Sequence, residues 1–316
     1  MARLDGYETP TPHGSQISQT LQDIAAEIFR QDDWGQPAQY IPELASVDPK
    51  QFAISVCLND GKVLSAGAAD KPFSIQSVSK VFTLVAALGR VGDQLWSRVG
   101  REPSGATFDS VVLLEREQGQ PRNPFINAGA IVTTDSLLCK REPRTALAEV
   151  LELAREMAGS DDIFINKKVA RSETETGSRN VALAHYLKSH GNLLNSPERT
   201  LGVYFHQCAI EMTTEQLAKA GRILAGLSGA PRVISRHHAR RVNALMMTCG
   251  HYDGSGDFAY RVGLPGKSGV GGGLLIIAPR VASIAVWSPG LNGYGNSHAG
   301  TRAAAMLSKA TNWSVF

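Results

Sequence analysis

Several large classes of protein are excluded by what this sequence lacks. It has only four cysteines, Cys57, Cys139, Cys208 and Cys249, widely separated and with neither a Cys-x-x-Cys pair nor a Cys/His ligand spacing. That argues against structural zinc, and for reduced, mostly buried thiols in a cytosolic protein. Long runs of Lys or Arg are absent, and 32 basic against 29 acidic residues leave a formal net charge of only +3. Nucleic acid is therefore not an expected partner. No stretch approaches the ~18 uncharged apolar residues of a membrane span. The opening MARLDGYETPTPHG has no apolar run that could serve as a signal peptide. The expectation is a cytoplasmic protein with no membrane partner. Repeats and low-complexity segments are missing as well.

What is present is the composition of a globular chain, 43% hydrophobic and 19% charged over 316 residues. A chain of this size buries roughly 75% of its unfolded surface. Residues 1–15 read as a loose tail. Ile17, Leu21, Ile24 and Ile28 then draw one helical stripe. Phe52–Leu58 and Val63–Ala66 read as strands joined by the turn signal Asn59-Asp60-Gly61. Val81–Leu88 (VFTLVAAL) has no polar face apart from Thr83, which predicts a helix in the middle of a core. Residues 93–230 are mostly helical in pattern, with clear spacing over Ala146–Ala158, Val181–Leu187 and Gln216–Leu227. Ala259–Gly263, Gly273–Ala278 and Ser283–Ser288 read as strands, the last two joined around Pro279-Arg280, and a helix over about Ser297–Ala310 ends the chain. Strands at both ends with helices between them predict an α+β fold with one antiparallel sheet built from both termini. Its segments are 1–92 and 231–316, forming the α/β lobe, and 93–230 as an inserted helical lobe. The cleft between lobes is a natural place for a small-molecule site.

The chemistry begins at Ser77-Val78-Ser79-Lys80. Ser-x-x-Lys sets a hydroxyl and an amine one helical turn apart on one face. The serine needs a base, and the lysine can be that base only if burial or a neighbouring cation favours its neutral form. Lys80 stands at the mouth of the apolar helix, where a solvated charge is out of place. Ser77 would sit in its first turn, where backbone N–H groups can meet an oxyanion. Lys267-Ser268-Gly269-Val270-Gly271-Gly272-Gly273 has the form of Lys-Thr-Gly, which accompanies Ser-x-x-Lys in penicillin-binding proteins and class A β-lactamases, with serine in place of threonine. Its glycines permit close backbone approach. Gly266-Lys267-Ser268 is no phosphate-binding loop, since Arg261 stands where that motif needs glycine. The third element, Ser-Asp-Asn, is missing, which argues against penicillin recognition. Tyr294-Gly295-Asn296 has a Tyr-x-Asn shape but lies in the wrong chain order and reads as a turn.

Three further polar segments have turn character: Asn123–Ala130, Ser172–Asn180 and Val203–Cys208. With these, the chain resembles the serine-dependent glutaminase family, a branch of the β-lactamase/transpeptidase-like fold. The matching stretches run from Tyr40-Ile-Pro-Glu-Leu-Ala through Gln76-Ser-Val-Ser-Lys80 to Gly263-Leu-Pro-Gly-Lys-Ser-Gly-Val270, in family order. The resemblance covers about residues 20–310. It implies Ser77 as nucleophile, Lys80 as base and Tyr252 as the third catalytic group. It implies ligand-binding positions at Tyr40, Ser77, Asn127, Glu173, Asn180, Tyr204, Tyr252 and the backbone of Val270. Two positions depart from the family pattern, Ser178 where an acidic residue is common and His251 where methionine is common. Neither is one of the matched functional residues.

The implied reaction is L-glutamine plus water giving L-glutamate and ammonia through a γ-glutamyl-serine ester, with no metal or organic cofactor. Glu173 can meet the substrate ammonium, and Asn127, Asn180 and the tyrosines can donate to its carboxylate. Tyr252 and Lys80 both stand as candidates to activate the second-step water. The family's members form homo-oligomers, commonly dimers or tetramers. Two other readings stay open at this level: a β-lactamase-like hydrolase of another amide, and a non-catalytic amino-acid sensor. The Ser77/Lys80 pair argues against the sensor, which needs no nucleophile.

Overall fold

The computed structural model describes residues 14–316. The expected N-terminal tail lies outside the described residues, except that Gly14 and Ser15 already belong to the first helix, Gly14–Phe29. Eight strands follow in chain order: β1 Ala53–Leu58, β2 Val63–Gly67, β3 Phe73–Ser74, β4 Phe164–Ile165, β5 Ile210–Met212, β6 Gly266–Ser268, β7 Gly273–Ala278 and β8 Ala282–Trp287. Five form an antiparallel sheet in the order β2-β1-β8-β7-β6, and β3-β5-β4 form a second, small one. β1 and β2 close a hairpin at Gly61, whose φ of +83° suits a residue without Cβ. β1 also pairs with β8, from Ala53↔Trp287 to Leu58↔Ala282, so both ends of the chain meet at the centre of the sheet.

Alternation along the strands divides the core in two. Ile54, Val56, Leu274, Ile276, Ile284 and Val286 pack with Ile17, Leu21, Ile24 and Ile28 of the first helix and with Ala303 and Leu307 of the last, His298–Thr311. Ala53, Cys57, Leu275, Ile277, Ala285 and Trp287 face the opposite way, toward Val81, Phe82 and Val85. These belong to the helix Ser79–Val91, buried at every residue from Ser79 to Leu88. Its neighbour Asn127–Leu138 is buried along its whole length. A helix apolar on all sides is stable only when surrounded, and each of this pair surrounds the other.

Some expectations are corrected. Ala259–Gly263 is not a strand but the end of a helix, Ser255–Val262, which buries Phe258 and Val262 four residues apart and is capped by Gly263 at φ +67°. The strand begins three residues later. A five-residue window held too few apolar residues to separate a period of two from one of 3.6. Val203–Cys208 is no turn either: Ser196 caps, and Pro197 begins, a helix that runs through to Cys208. Ser172–Asn180 is two helices broken at Gly177. Cys57, Cys208 and Cys249 are buried thiols, but Cys139 is exposed, at the surface end of Asn127–Leu138. Among the described residues no helix is long and apolar enough to cross a membrane.

Asp135 anchors the helical region. Its carboxylate is fully buried and accepts from Arg98, from the backbone N–H groups of Leu194 and Asn195 at 2.9 Å each, and from Thr200 at 3.2 Å. Burial raises its pKa, but these donors outweigh that and hold it below the usual range. Asp135→Ala removes the ion-pair partner of Arg98 and the acceptor of two part-buried N–H groups, while Arg98 keeps Ser136 Oγ and Asn192 O, and should lower stability by about 3 kcal/mol in denaturant titration. A loss under about 1 kcal/mol would show that the anchor is replaceable.

Candidate active site

The chain approaches Ser77 through a strained turn. Ile75 N–H bonds to Ile210 O at 2.9 Å, and Gln76 then takes φ +48°, a left-handed value uncommon outside glycine. Gln76–Val78 form one turn of 3-10 helix that leads into Ser79–Val91. Ser77 therefore sits just before the expected helix rather than in its first turn. The glycine loop after Ser268 presses directly on this segment. A Cβ on Gly269 would fall 2.4 Å from Ile75 O and 3.2 Å from Ser77 N, and one on Gly271 would fall 2.3 Å from Ser74 O. Only glycine fits at those distances. Val270, between them, is brought to the same cavity as Ser77.

Lys80 follows Ser77 by one turn and is 1% exposed. Its amine donates to Asn127 Oδ1 at 2.8 Å and to Phe125 O at 3.1 Å, both uncharged acceptors. Burial lowers its pKa to about 8, with Cys208, Glu173 and Asp109 pulling the other way. Asn127 opens its helix and passes the contact on, its Nδ2 donating to Asn180 Oδ1 at 2.9 Å. Lys267 is buried too. It donates to Gly250 O at 3.1 Å and to Ser268 O, and its amine lies 4.6 Å from the centre of the Tyr252 ring. Burial and then the charge of Lys80 push its pKa well below the usual value. Burial is the first cause of the shift at both lysines, and the two amines lie close enough for their charges to interact.

Tyr252 stands behind Ser77. Its hydroxyl donates to Ser268 O at 3.3 Å, and the Ser77 side chain is near enough to favour its ionised form. Burial raises its pKa, with Ser77 working against the rise. Its ring packs on Phe108 with centroids 4.8 Å apart.

The cavity in front of Ser77 has a volume of about 120 Å³. Tyr40, Ser77, Asn127, Glu173, Asn180, Tyr204 and Val270 all line it, while Lys80 and Tyr252 lie behind its wall. Glu173 is 7% exposed, and burial raises its pKa to about 7, against a hydrogen bond from Gln76 and the charge of Lys80. Tyr204 is buried in the floor. Tyr40 stands at the rim: 52% of the residue meets solvent, yet its phenol end is enclosed enough that burial and then Tyr252 and Glu173 raise its pKa. Cys208 lines the floor as a neutral thiol, its pKa pushed up to about 12 by burial.

Several lining residues were given no site role from the sequence. Gln76 borders Ser77 and bonds Glu173; Phe108 packs on Tyr252; Asp109 and Arg179 pair across the mouth at 3.2 Å. Gln76 had a signal, its position beside the Ser-x-x-Lys serine. Phe108 and Asp109 had none, because their loop carries no motif. Among the described residues no group of three or more His, Cys, Asp or Glu could hold a metal ion.

This arrangement has close counterparts. The sequence profile of the family described as Glutaminase matches residues 35–316. A glutaminase of Mesorhizobium japonicum is 58% identical over 304 residues, covering 95% of this chain and 96% of its own length. One from Rhodopseudomonas palustris (strain HaA2) is 59% identical, covering 95% and 98%. Among solved structures, the probable glutaminase YbaS superposes with a TM-score of 0.92 at 36% identity, over 96% of this chain and 99% of that one. The Bacillus subtilis probable glutaminase, complexed with 6-diazo-5-oxo-L-norleucine, gives 0.85 at 34% identity over the full length of both. The α+β architecture is the β-lactamase-like one of these structures. On the profile match over most of its length and on relatives this similar, the chain belongs to the glutaminase family.

Proposed function

We propose that this chain hydrolyses the side-chain amide of L-glutamine to L-glutamate and ammonia through a covalent γ-glutamyl ester on Ser77. The observation that carries this reading is a cavity lined by the Ser77 hydroxyl and the buried Glu173 carboxylate, with the buried amine of Lys80 one helical turn on from Ser77. Glu173 takes the substrate ammonium, and Asn127, Asn180, Tyr40 and Tyr204 serve its carboxylate. The side-chain amide then faces Ser77. Ser77 Oγ attacks the amide carbon while neutral Lys80 receives its proton. The N–H groups of Ser77 and Val270 hold the oxyanion, which the close approach of the glycine loop supports. The C–N bond breaks, the departing nitrogen takes a proton by way of Tyr252, and water cleaves the ester. Two relatives bear on the ligand: one solved glutaminase is in its glutamate form, and another is complexed with 6-diazo-5-oxo-L-norleucine. The latter carries glutamine's amino-acid end and a diazo ketone in place of the amide.

The proximity of the Tyr252 phenol to Ser77 favours a second role for it. With its pKa raised by burial, a phenolate is disfavoured near neutral pH. Tyr252 therefore suits a relay that passes protons between Ser77, Lys80 and the leaving nitrogen. It suits a resting base less well. The same reading takes 1–92 with 231–316 as one lobe and 93–230 as the inserted lobe. It places the protein in the cytoplasm as a homo-oligomer, a dimer or tetramer.

Ser77→Ala should lower turnover by about 10³-fold or more, while calorimetry finds glutamine affinity within a few-fold of wild type. A variant that kept a tenth of the rate would contradict the covalent route. Glu173→Gln removes a charge-assisted bond present in ground and transition states alike, so KM should rise about 10- to 100-fold with a smaller change in kcat. An unchanged KM with a collapsed kcat would instead make Glu173 a base.

The pH dependence follows from two shifts that act in the same direction. Lys80 is protonated below about pH 8 and then cannot accept the Ser77 proton. Glu173 is neutral below about pH 7 and then cannot pair with the ammonium. Plotted for kcat/KM, the rate should climb through pH 8, with a steeper fall below pH 7 where both groups are in the wrong form. Lys80→Arg should be inactive throughout, since arginine keeps its proton. An acid optimum, or an active arginine variant, would remove Lys80 from the role of base.

A further inference from the structure

The turn that presents Tyr252 is held from outside the cavity. Tyr252 has φ +57°, which an aromatic residue adopts only where its surroundings impose it. Its flanking backbone is tied at three points. His251 N–H donates to Ser255 Oγ at 3.0 Å, and Ser255 Oγ–H donates to Tyr252 O at 2.8 Å. His251 O accepts from Gly254 N–H at 3.1 Å and from Asn296 Nδ2 at 3.0 Å. Of these donors and acceptors, only Asn296 is remote, reaching in from the loop that follows β8.

That loop is a rigid mount. Asn296 is 4% exposed. Its N–H donates to Asn292 Oδ1 at 3.2 Å and its carbonyl accepts from Asn292 N–H at 2.8 Å. Leu291, at the base of the loop, bridges to both Gln36 and Ser297. The loop lies flush on the Tyr252 turn: a Cβ on Gly254 would come within 3.1 Å of both Asn296 Nδ2 and the Tyr294 ring. Tyr294-Gly295-Asn296, which reads from the sequence as a turn without function, is thus the platform for the turn that carries Tyr252.

We infer that Asn296 is a positioning residue for the amide hydrolysis: its side-chain amide holds the His251 carbonyl and so fixes the left-handed turn that aims the Tyr252 hydroxyl at Ser77. The inference rests on the reading of Tyr252 as a proton relay. A double-mutant cycle with Tyr252→Phe separates this role from general stabilisation. Asn296→Ala should lower kcat about tenfold with KM within about twofold of wild type, since the cavity-lining groups are untouched. In the Tyr252→Phe background the same substitution should cost less than about twofold, because no hydroxyl remains to be aimed. Asn296→Asp keeps the shape but exchanges the donor for an acceptor, and the same cycle is run with it where the alanine variant does not fold. An equal loss of kcat in both backgrounds would mean that Asn296 acts on the fold as a whole, and would overturn the inference. A Tyr252→Phe single variant at the wild-type rate would overturn the relay reading itself, and it is measured before the double variant is made.

Discussion

The site depends on placing an amine where its charge is poorly supported. Lys80 is buried, and its two acceptors are a backbone carbonyl and an amide oxygen, neither of which repays the hydration lost by an ammonium ion. The neighbourhood follows from that demand. Ser79–Val91 is buried from Ser79 to Leu88 and largely apolar there, which excludes water from its own first turn. Asn127–Leu138 is buried throughout, and Asn127 stands at its start, in reach of the amine. Gly129 follows two residues on because that helix is pressed against Asn123 O, where a Cβ would fall at 1.8 Å. Helix packing and pKa tuning are here one requirement.

Much of this was legible in the sequence because it is local. Ser77 and Lys80 are one helical turn apart, so their spacing carried their geometry. The glycines after Ser268 announced a close approach, and Gly269 and Gly271 meet the backbone before Ser77. The apolar run after Lys80 announced a buried helix. Long, strongly patterned elements came through in the same way: the first and last helices, the hairpin, and the strands β7 and β8 lie within a few residues of their expected limits.

What was not legible is either short or distant. Ala259–Gly263 failed as a strand because Phe258 and Val262, the pair that marks its helix, straddle the boundary of the window. The polar segment Val203–Cys208 hid a helix because its buried face includes Tyr204, Gln207 and Cys208, residues that do not announce a core. Tyr252 carries no motif strength of its own; family resemblance, not spacing, singled it out. Its left-handed backbone and its mounting on Asn296 are products of tertiary contact. Lys267 was expected to act on Lys80, and the two amines do interact, but burial is the first cause at each, and depth of burial is something a sequence does not contain.

The pairing of β1 with β8 has a further consequence for how the protein comes into being. Ala53 finds its central partner only at Trp287, and the loop that presses on Ser77 also arrives late in the chain. A ribosome making this protein releases the Ser-x-x-Lys helix long before either exists. Until then the apolar sides of that helix have only the β1–β2 hairpin to cover them, and Ser77 has no glycine loop against it. Contacts closed over such long stretches of chain form slowly. The nascent chain is therefore at its most adhesive for most of its synthesis, and it gains its core and its pocket together at the end.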